Sequence, residues 1–227
     1  MNSPDILFED NHLIAVNKKS GDIVQGDKTG DEPLSDRVKA YIKEKYNKPG
    51  EVFLGTIHRI DRPVTGVVLF ARTSKALERM NEQFREREVK KMYWAVVKNL
   101  PKPESGNLVN YLVKDESKNK SRAYDAPRNG ALQCELNYTL IKRSDRYALL
   151  EINPVTGRHH QIRVQLSKIG SSIKGDLKYG SERSNPDGSI HLHARKLNFL
   201  HPVTKEPVEI IAPVPDEPLW KFFESHN

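Results

Sequence analysis

The sequence holds one cysteine, Cys134, among 227 residues. A single thiol closes no internal disulfide and builds no cysteine-rich metal centre, so disulfide scaffolds and zinc fingers are excluded. No apolar run approaches the roughly 18 residues that suggest a membrane-spanning helix. The acidic start "MNSPDILFED" lacks the apolar stretch of a secretory leader. The expectation is a cytoplasmic protein. There is no GxGxxG, no Walker loop, no HExxH and no GxSxG elbow, which leaves dinucleotide, P-loop, zincin and hydrolase-elbow chemistry without support. His159-His160 and His191-Leu192-His193 tempt a metal reading, but no carboxylate sits at ligand spacing beside either pair. No metal and no cofactor is expected. Aromatic residues are 7% of the chain, so an aromatic placed beside charge draws notice.

What the chain does have is positive charge. Lys and Arg number 37 against 30 Asp and Glu, a formal net charge of +7. That balance favours an anionic partner such as nucleic acid. Apolar residues make up 37%, enough for one core, and a single domain over residues 1–227 is expected. "ILFED" and "HLIAVNK" read as two strands around a turn at Asp10-Asn11. Apolar spacing from Leu34 through Val38, Tyr41 and Ile42 predicts a helix with Ser35 as N-cap. "VVLFA" reads as a buried strand. Leu77, Met80 and Phe84 mark one face of a helix capped by Thr73 or Ser74. "KKMYWAVV" returns to strand, and "KDESKNKSRAYDAPRNG" reads as a loop or insertion. "CELNYTLIKR" and "YALLEINP" read as paired strands, with Cys134 buried in the first. "QIRVQLSKIG" fits helix or strand, and Gly170 as C-cap favours helix. "HLHARKLNFLH" and "VEIIA" are late strands, and "PLWKFFES" is a closing helix. Strands in neighbouring runs with helices interspersed predict an α+β fold.

Three clusters carry candidate chemistry. In "HRIDRPVTG", Asp61 lies between Arg59 and Arg62 ahead of a buried strand. Flanking cations favour the ionised carboxylate, which suits a nucleophile, a base or a metal ligand; an ordinary turn salt bridge is the plain alternative. In "REREVKKMYW", Tyr93 and Trp94 follow Lys90 and Lys91. Strand alternation sends the two aromatics to opposite faces. A tyrosine beside lysines suits stacking on a base, whereas two packing aromatics need no function. In "TGRHHQIRV", Arg158, His159, His160, Gln161 and Arg163 crowd a helix start, where free N–H groups hold anions.

Together these stretches resemble the RluA-type family of RNA pseudouridine synthases. "ILFEDNHLIAVNK", "HRIDRPVTGVVLFA", "FREREVKKMYWAVV", "NPVTGRHHQIRVQLSKIGSSIKGDLKYG" and "HLHARKLNFLHPVTKEPVEIIAP" match in order over about residues 6–215. The resemblance implies an α+β fold with a mixed, largely antiparallel sheet, flanking helices and a central RNA-binding cleft. It implies that Asp61 is the essential carboxylate, that Tyr93 stacks on the flipped uracil, and that Arg163 pairs with Asp61. Arg59 resembles the residue that enters the RNA stack. Arg62, Arg158, His160 and Lys91 are the further RNA-binding candidates. The partner is ribosomal or transfer RNA, the expected state a monomer, and the small N-terminal RNA-binding domain of many relatives is expected to be lacking. The pattern departs at Asn17-Lys18-Lys19, where "NKP" is frequent, at Gln165, where His is frequent, and at Val64-Thr65, where Thr-Ser is commoner. The competing class is a non-catalytic RNA-binding module or RNA chaperone on the same scaffold. It has no use for an ionised Asp61.

Overall fold

Alternating and helical apolar spacing resolves, in the computed structural model, into eleven strands and four α-helices across the described residues, 3–27 and 29–225. In chain order they are β1 (Ile6–Glu9), β2 (Leu13–Lys18), α1 (Leu34–Lys45), β3 (Gly55–Thr56), β4 (Thr65–Ala71), α2 (Ser74–Arg85), β5 (Lys90–Val97), β6 (Ser105–Asp115), β7 (Lys120–Tyr124), β8 (Leu132–Arg143), β9 (Ala148–Pro154), α3 (Gln161–Lys168), β10 (Leu192–Leu200), β11 (Pro207–Ile211) and α4 (Pro218–Glu224). The class is α+β, with mixed, mostly antiparallel sheet structure. No helix among the described residues is long and apolar enough to cross a membrane.

The chain forms two compact units. The first takes in the described residues up to Lys90 together with Ala194–Asp216; the second takes in Lys91–His193 and those from Glu217 onward. In the first unit the strand order is β1-β2-β4-β10, with β3 beside β4 and β11 beside β10. The hairpin of β1 and β2 turns where Asp10 accepts the His12 and Leu13 N–H groups, both at 2.7 Å. Antiparallel pairing sets Leu13, Ala15, Val67, Leu69 and Ala71 on one side. They share a core with Leu197 and Phe199 of β10 and Ala76 and Met80 of α2. Burying each large side chain there is worth about 1.5–3 kcal/mol.

Helix starts are set differently in the two helices. Thr73 caps α2 by accepting the Ala76 N–H at 3.2 Å. Ser35 does not cap α1, as its position suggests; it lies inside the helix and is buried, and the N-cap is Pro33. The reason is backbone pairing. The Leu34 and Ser35 N–H groups donate to the carbonyls of Ile23 and Val24 at 2.8 and 3.2 Å, so the helix end needs no side-chain acceptor.

In the second unit the order is β5-β9-β8-β6-β7, antiparallel throughout. The segment read as a loop, "KDESKNKSRAYDAPRNG", is largely a hairpin. Val113 faces Arg122 and Asp115 faces Lys120, and the Asp115 carboxylate accepts Ser117 Oγ and Lys118 N–H across the turn. β6 itself has no counterpart in the sequence reading. Its sheet face toward α3 carries Leu112, which packs with Cys134, Val164 and Tyr179; Leu108-Val109 and Tyr111-Leu112-Val113 run together around Asn110, so alternation is weak. "QIRVQLSK" is helical, as favoured, and Gly170 follows it at φ +80°.

Candidate active site

In the first unit the centre of interest is the connection between β3 and β4, residues 57–64. Ile57 and Ile60 anchor it, each 9% exposed. His58 points inward: its Nε2 accepts the Leu69 N–H at 3.0 Å and its ring stacks on Phe84. That acceptor role requires the Nε2 lone pair, so the imidazole is a structural prop. Asp61 is half-buried and Arg59 is exposed. Val64 N–H donates to the Asp61 carbonyl at 3.0 Å, closing the turn around Arg62-Pro63. The Arg62 guanidinium pairs with Asp31 at 2.6 Å on the exposed side.

This turn is held from behind by a lysine. Lys18, at the end of β2, is 1% exposed. Its Nζ donates to the carbonyls of Lys19, Arg62 and Val64 at 2.9, 3.0 and 2.8 Å. Burial pushes its pKa down to about 7, while Asp22 and Asp61 oppose that shift. Three carbonyl acceptors match the three N–H groups of the ammonium, a set the neutral amine does not fill. Gly21 N–H adds a bond to the Arg62 carbonyl at 3.0 Å. After the turn the chain passes Ala194 closely. Gly66 has φ +112°, and a Cβ there would lie 2.3 Å from the Ala194 carbonyl oxygen. Only glycine fits that approach.

In the second unit Tyr93 stands opposite Ile152, which stands opposite Tyr138. These residues share the sheet face on which α3 packs, through Cys134 and Val164. Lys91, two residues before Tyr93, lies on that face too. Its Nζ is 3.6 Å from where a Cβ on Gly157 would sit. Trp94 takes the opposite face and is 7% exposed, so alternation separates the two aromatics as expected.

The turn "TGRHH" and α3 are organised by side chains. Gln161 accepts the Thr156 hydroxyl at 2.7 Å and the Arg158 N–H at 2.9 Å, and donates to the Glu135 carbonyl at 3.0 Å. Arg158 remains exposed, its Nε donating to the Gln133 carbonyl. His160 has φ +54° and is buried. Burial and, next, the charge of Arg163 push its pKa down to about 2, so it is neutral. Its Nδ1 lies 2.8 Å from the Tyr179 hydroxyl, which also accepts the Ser121 N–H at 2.8 Å. Arg163 makes a two-pronged ion pair with Asp176, at 2.7 and 2.9 Å, and lies over the Tyr179 ring at 5.1 Å. No group of three or more metal-ligating side chains is placed to hold an ion among the described residues.

Lys18, Asp176 and Tyr179 are the residues that sequence reasoning passed over. Lys18 looks like an ordinary strand-end lysine, and its only signal is position within "NKK". Asp176 and Tyr179 lie in "GDLKYG", where two glycines bracket a turn.

The comparisons with known proteins agree with one another. A family profile described as RNA pseudouridylate synthase matches residues 12–168. The chain is 34% identical over 219 residues to "Ribosomal large subunit pseudouridine synthase C" of Vibrio vulnificus, covering 93% of this chain and 66% of that protein. It is 28% identical over 226 residues to "tRNA pseudouridine synthase C" of Pectobacterium carotovorum, covering 92% of this chain and 58% of the relative. The chain thus spans about two thirds of the length of the curated relatives it matches first. Among solved structures it resembles "Human RNA Pseudouridylate Synthase Domain Containing 4", with TM-score 0.78, 26% identity, and 97% and 90% of the two chains covered.

Proposed function

The chain belongs to the RNA pseudouridylate synthase family, and from that premise we propose that it isomerises uridine to pseudouridine in ribosomal or transfer RNA. The reaction breaks the N1–C1′ bond, turns the uracil and joins C5 to C1′; the proton lost from C5 is balanced by one gained at N1. It needs no oxidant, metal or energy source. The observation that carries the reading is the Asp61 turn. A half-buried carboxylate sits on a loop pinned through the Arg62 and Val64 carbonyls to a buried lysine, within the stretch that matches the family profile. A turn held so firmly presents one side chain in one place, which is what a reacting group needs.

In this reading Asp61 promotes cleavage of the glycosidic bond, either by adding to C1′ or by taking a ribose proton. Arg163 is the cation that balances the charge of the acid beside the RNA phosphates. Tyr93 stacks on the uracil after it leaves the helix, and its hydroxyl assists proton removal at C5. Extrusion costs a few kcal/mol. Arg59, exposed on the Asp61 loop, offsets part of that by filling the gap. Arg62, Arg158 and Lys91 contact the backbone. So do Lys118, Lys120 and Arg122 of the β6–β7 hairpin, two of which are exposed. His160 serves by bracing Tyr179 rather than by charge, since it is buried and neutral.

The test follows the C5 proton. Purified protein is incubated with RNA carrying tritium at uridine C5. Stoichiometric tritium release, with pseudouridine found on nucleoside analysis, supports the reading. RNA bound with no tritium released over many hours, on both ribosomal and transfer RNA, supports a binding module instead.

A further inference from the structure

Arg163 is held in an unusual way for a residue assigned to act on a partner carboxylate. Its Nε and Nη2 both donate to Asp176, and the two side chains are 6% and 1% exposed. We propose that Asp176 is a positioning residue of the isomerisation, acting through Arg163. The inference rests on the role given to Arg163 above.

A guanidinium carries five N–H groups in one plane. Committing the Nε edge to both oxygens of one carboxylate fixes that plane and therefore the direction of the Nη1 edge. Asp176 is itself fixed by backbone bonds. Its N–H donates to Ile173, and its carbonyl accepts from Tyr179 and Ser181, at 3.1, 3.0 and 3.0 Å. Gly175, at φ +88°, turns the chain just before it; a Cβ there would lie 2.7 Å from both the Asn185 side chain and the Ser189 carbonyl. The guanidinium carbon lies over the Tyr179 ring, 5.1 Å from its centroid, and the Tyr179 hydroxyl is anchored to Ser121 and His160. Burying an ion pair here gains little for packing, because apolar residues of similar volume fill such space at least as well. What the pair supplies is a directed donor whose charge is already balanced. Asp176 touches neither uracil nor ribose in this account, so it is not a catalytic residue.

The experiment compares Asp176→Asn and Asp176→Glu with the wild type and Asp61→Asn on one RNA substrate, measuring kcat, KM, the pH profile of kcat and Tm. Asp176→Asn is expected to lower kcat about 10- to 100-fold, as a misplaced group does, with KM within about twofold of the wild type. Its acidic limb is expected to move to lower pH, because an unbalanced Arg163 holds any acid it serves ionised further down. Asp176→Glu keeps the charge, so its acidic limb stays in place while kcat falls at least about threefold from the displaced plane. A lowered Tm with unchanged kcat and an unmoved limb in the folded variants overturns the inference. Should Asp176→Asn not fold, Asp176→Glu decides, and wild-type kcat there overturns the proposal. An active Asp61→Asn removes the functional reading itself. An inactive Asp61→Asn beside wild-type-like Asp176 variants removes this inference alone.

Discussion

Lys18 carries more of the site than its place in the sequence suggests. Its ammonium joins the end of β2 to the turn that presents Asp61, through the carbonyls of Arg62 and Val64. Lys18→Met keeps the length of the stem but removes a donor from three carbonyls, of which that of Arg62 keeps the Gly21 N–H. Each unmet buried acceptor costs about 1–3 kcal/mol. We expect Tm to fall and kcat to fall with it, more than KM rises. Calorimetry and steady-state kinetics read both, and unchanged kcat shows that the turn holds without the lysine. Tyr93→Phe probes a different atom. The ring remains, so RNA affinity stays within about twofold, while product formation slows about 10- to 100-fold if the hydroxyl moves a proton. Equal rates for the two proteins leave the ring with stacking alone. The three motifs were legible because each sets charge beside a turn or an aromatic. Lys18 and Asp176 were not, since their meaning lies in partners distant in sequence: Val64 is 46 residues from Lys18, and Asp176 is 13 from Arg163.

At the level of elements, two histidines tie helices in place and make the fold acid-sensitive. Burial, then the charge of Lys174, pushes His191 down to about 4, against opposing Glu217. Its ring stacks on Trp220 of α4 and its Nε2 meets Glu217, the residue that caps that helix. His160 at the start of α3 is depressed further, to about 2. Both are neutral in the fold and take up protons when unfolded below about pH 6.5. Their contribution is therefore complete above pH 6.5. It declines as pH falls through 6.5 toward 4 by up to about 1.4 kcal/mol per pH unit per histidine. Urea melts at pH 7.5, 6 and 5 should show that slope, and His191→Gln should flatten it; identical midpoints at all three values contradict the assignment. Elements whose apolar residues repeat strongly were readable, among them β2, β4, α2 and β8. β6 and β7 were not: in β6 apolar residues run together around Asn110 rather than alternating, and β7 is mostly polar. Ser35 misled for a related reason, since backbone carbonyls from the preceding loop took the place of a cap.

Over the whole molecule the surplus of cations suits the proposed RNA substrate. With a formal charge of +7, binding should weaken steeply with salt. Each phosphate neutralised adds about 0.7–0.9 to the slope of log K against log salt. Lys118→Ala with Arg122→Ala should reduce that slope by one to two if the hairpin grips phosphates, and an unchanged slope removes the hairpin from the interface. The most direct measurement concerns Asp61. Asp61→Asn and wild-type protein are each mixed in excess with C5-tritiated RNA, and tritium release and RNA binding are followed in parallel. The account predicts no release above background from the variant, with RNA affinity within about threefold of the wild type. Tritium release by Asp61→Asn at a rate near that of the wild type contradicts it.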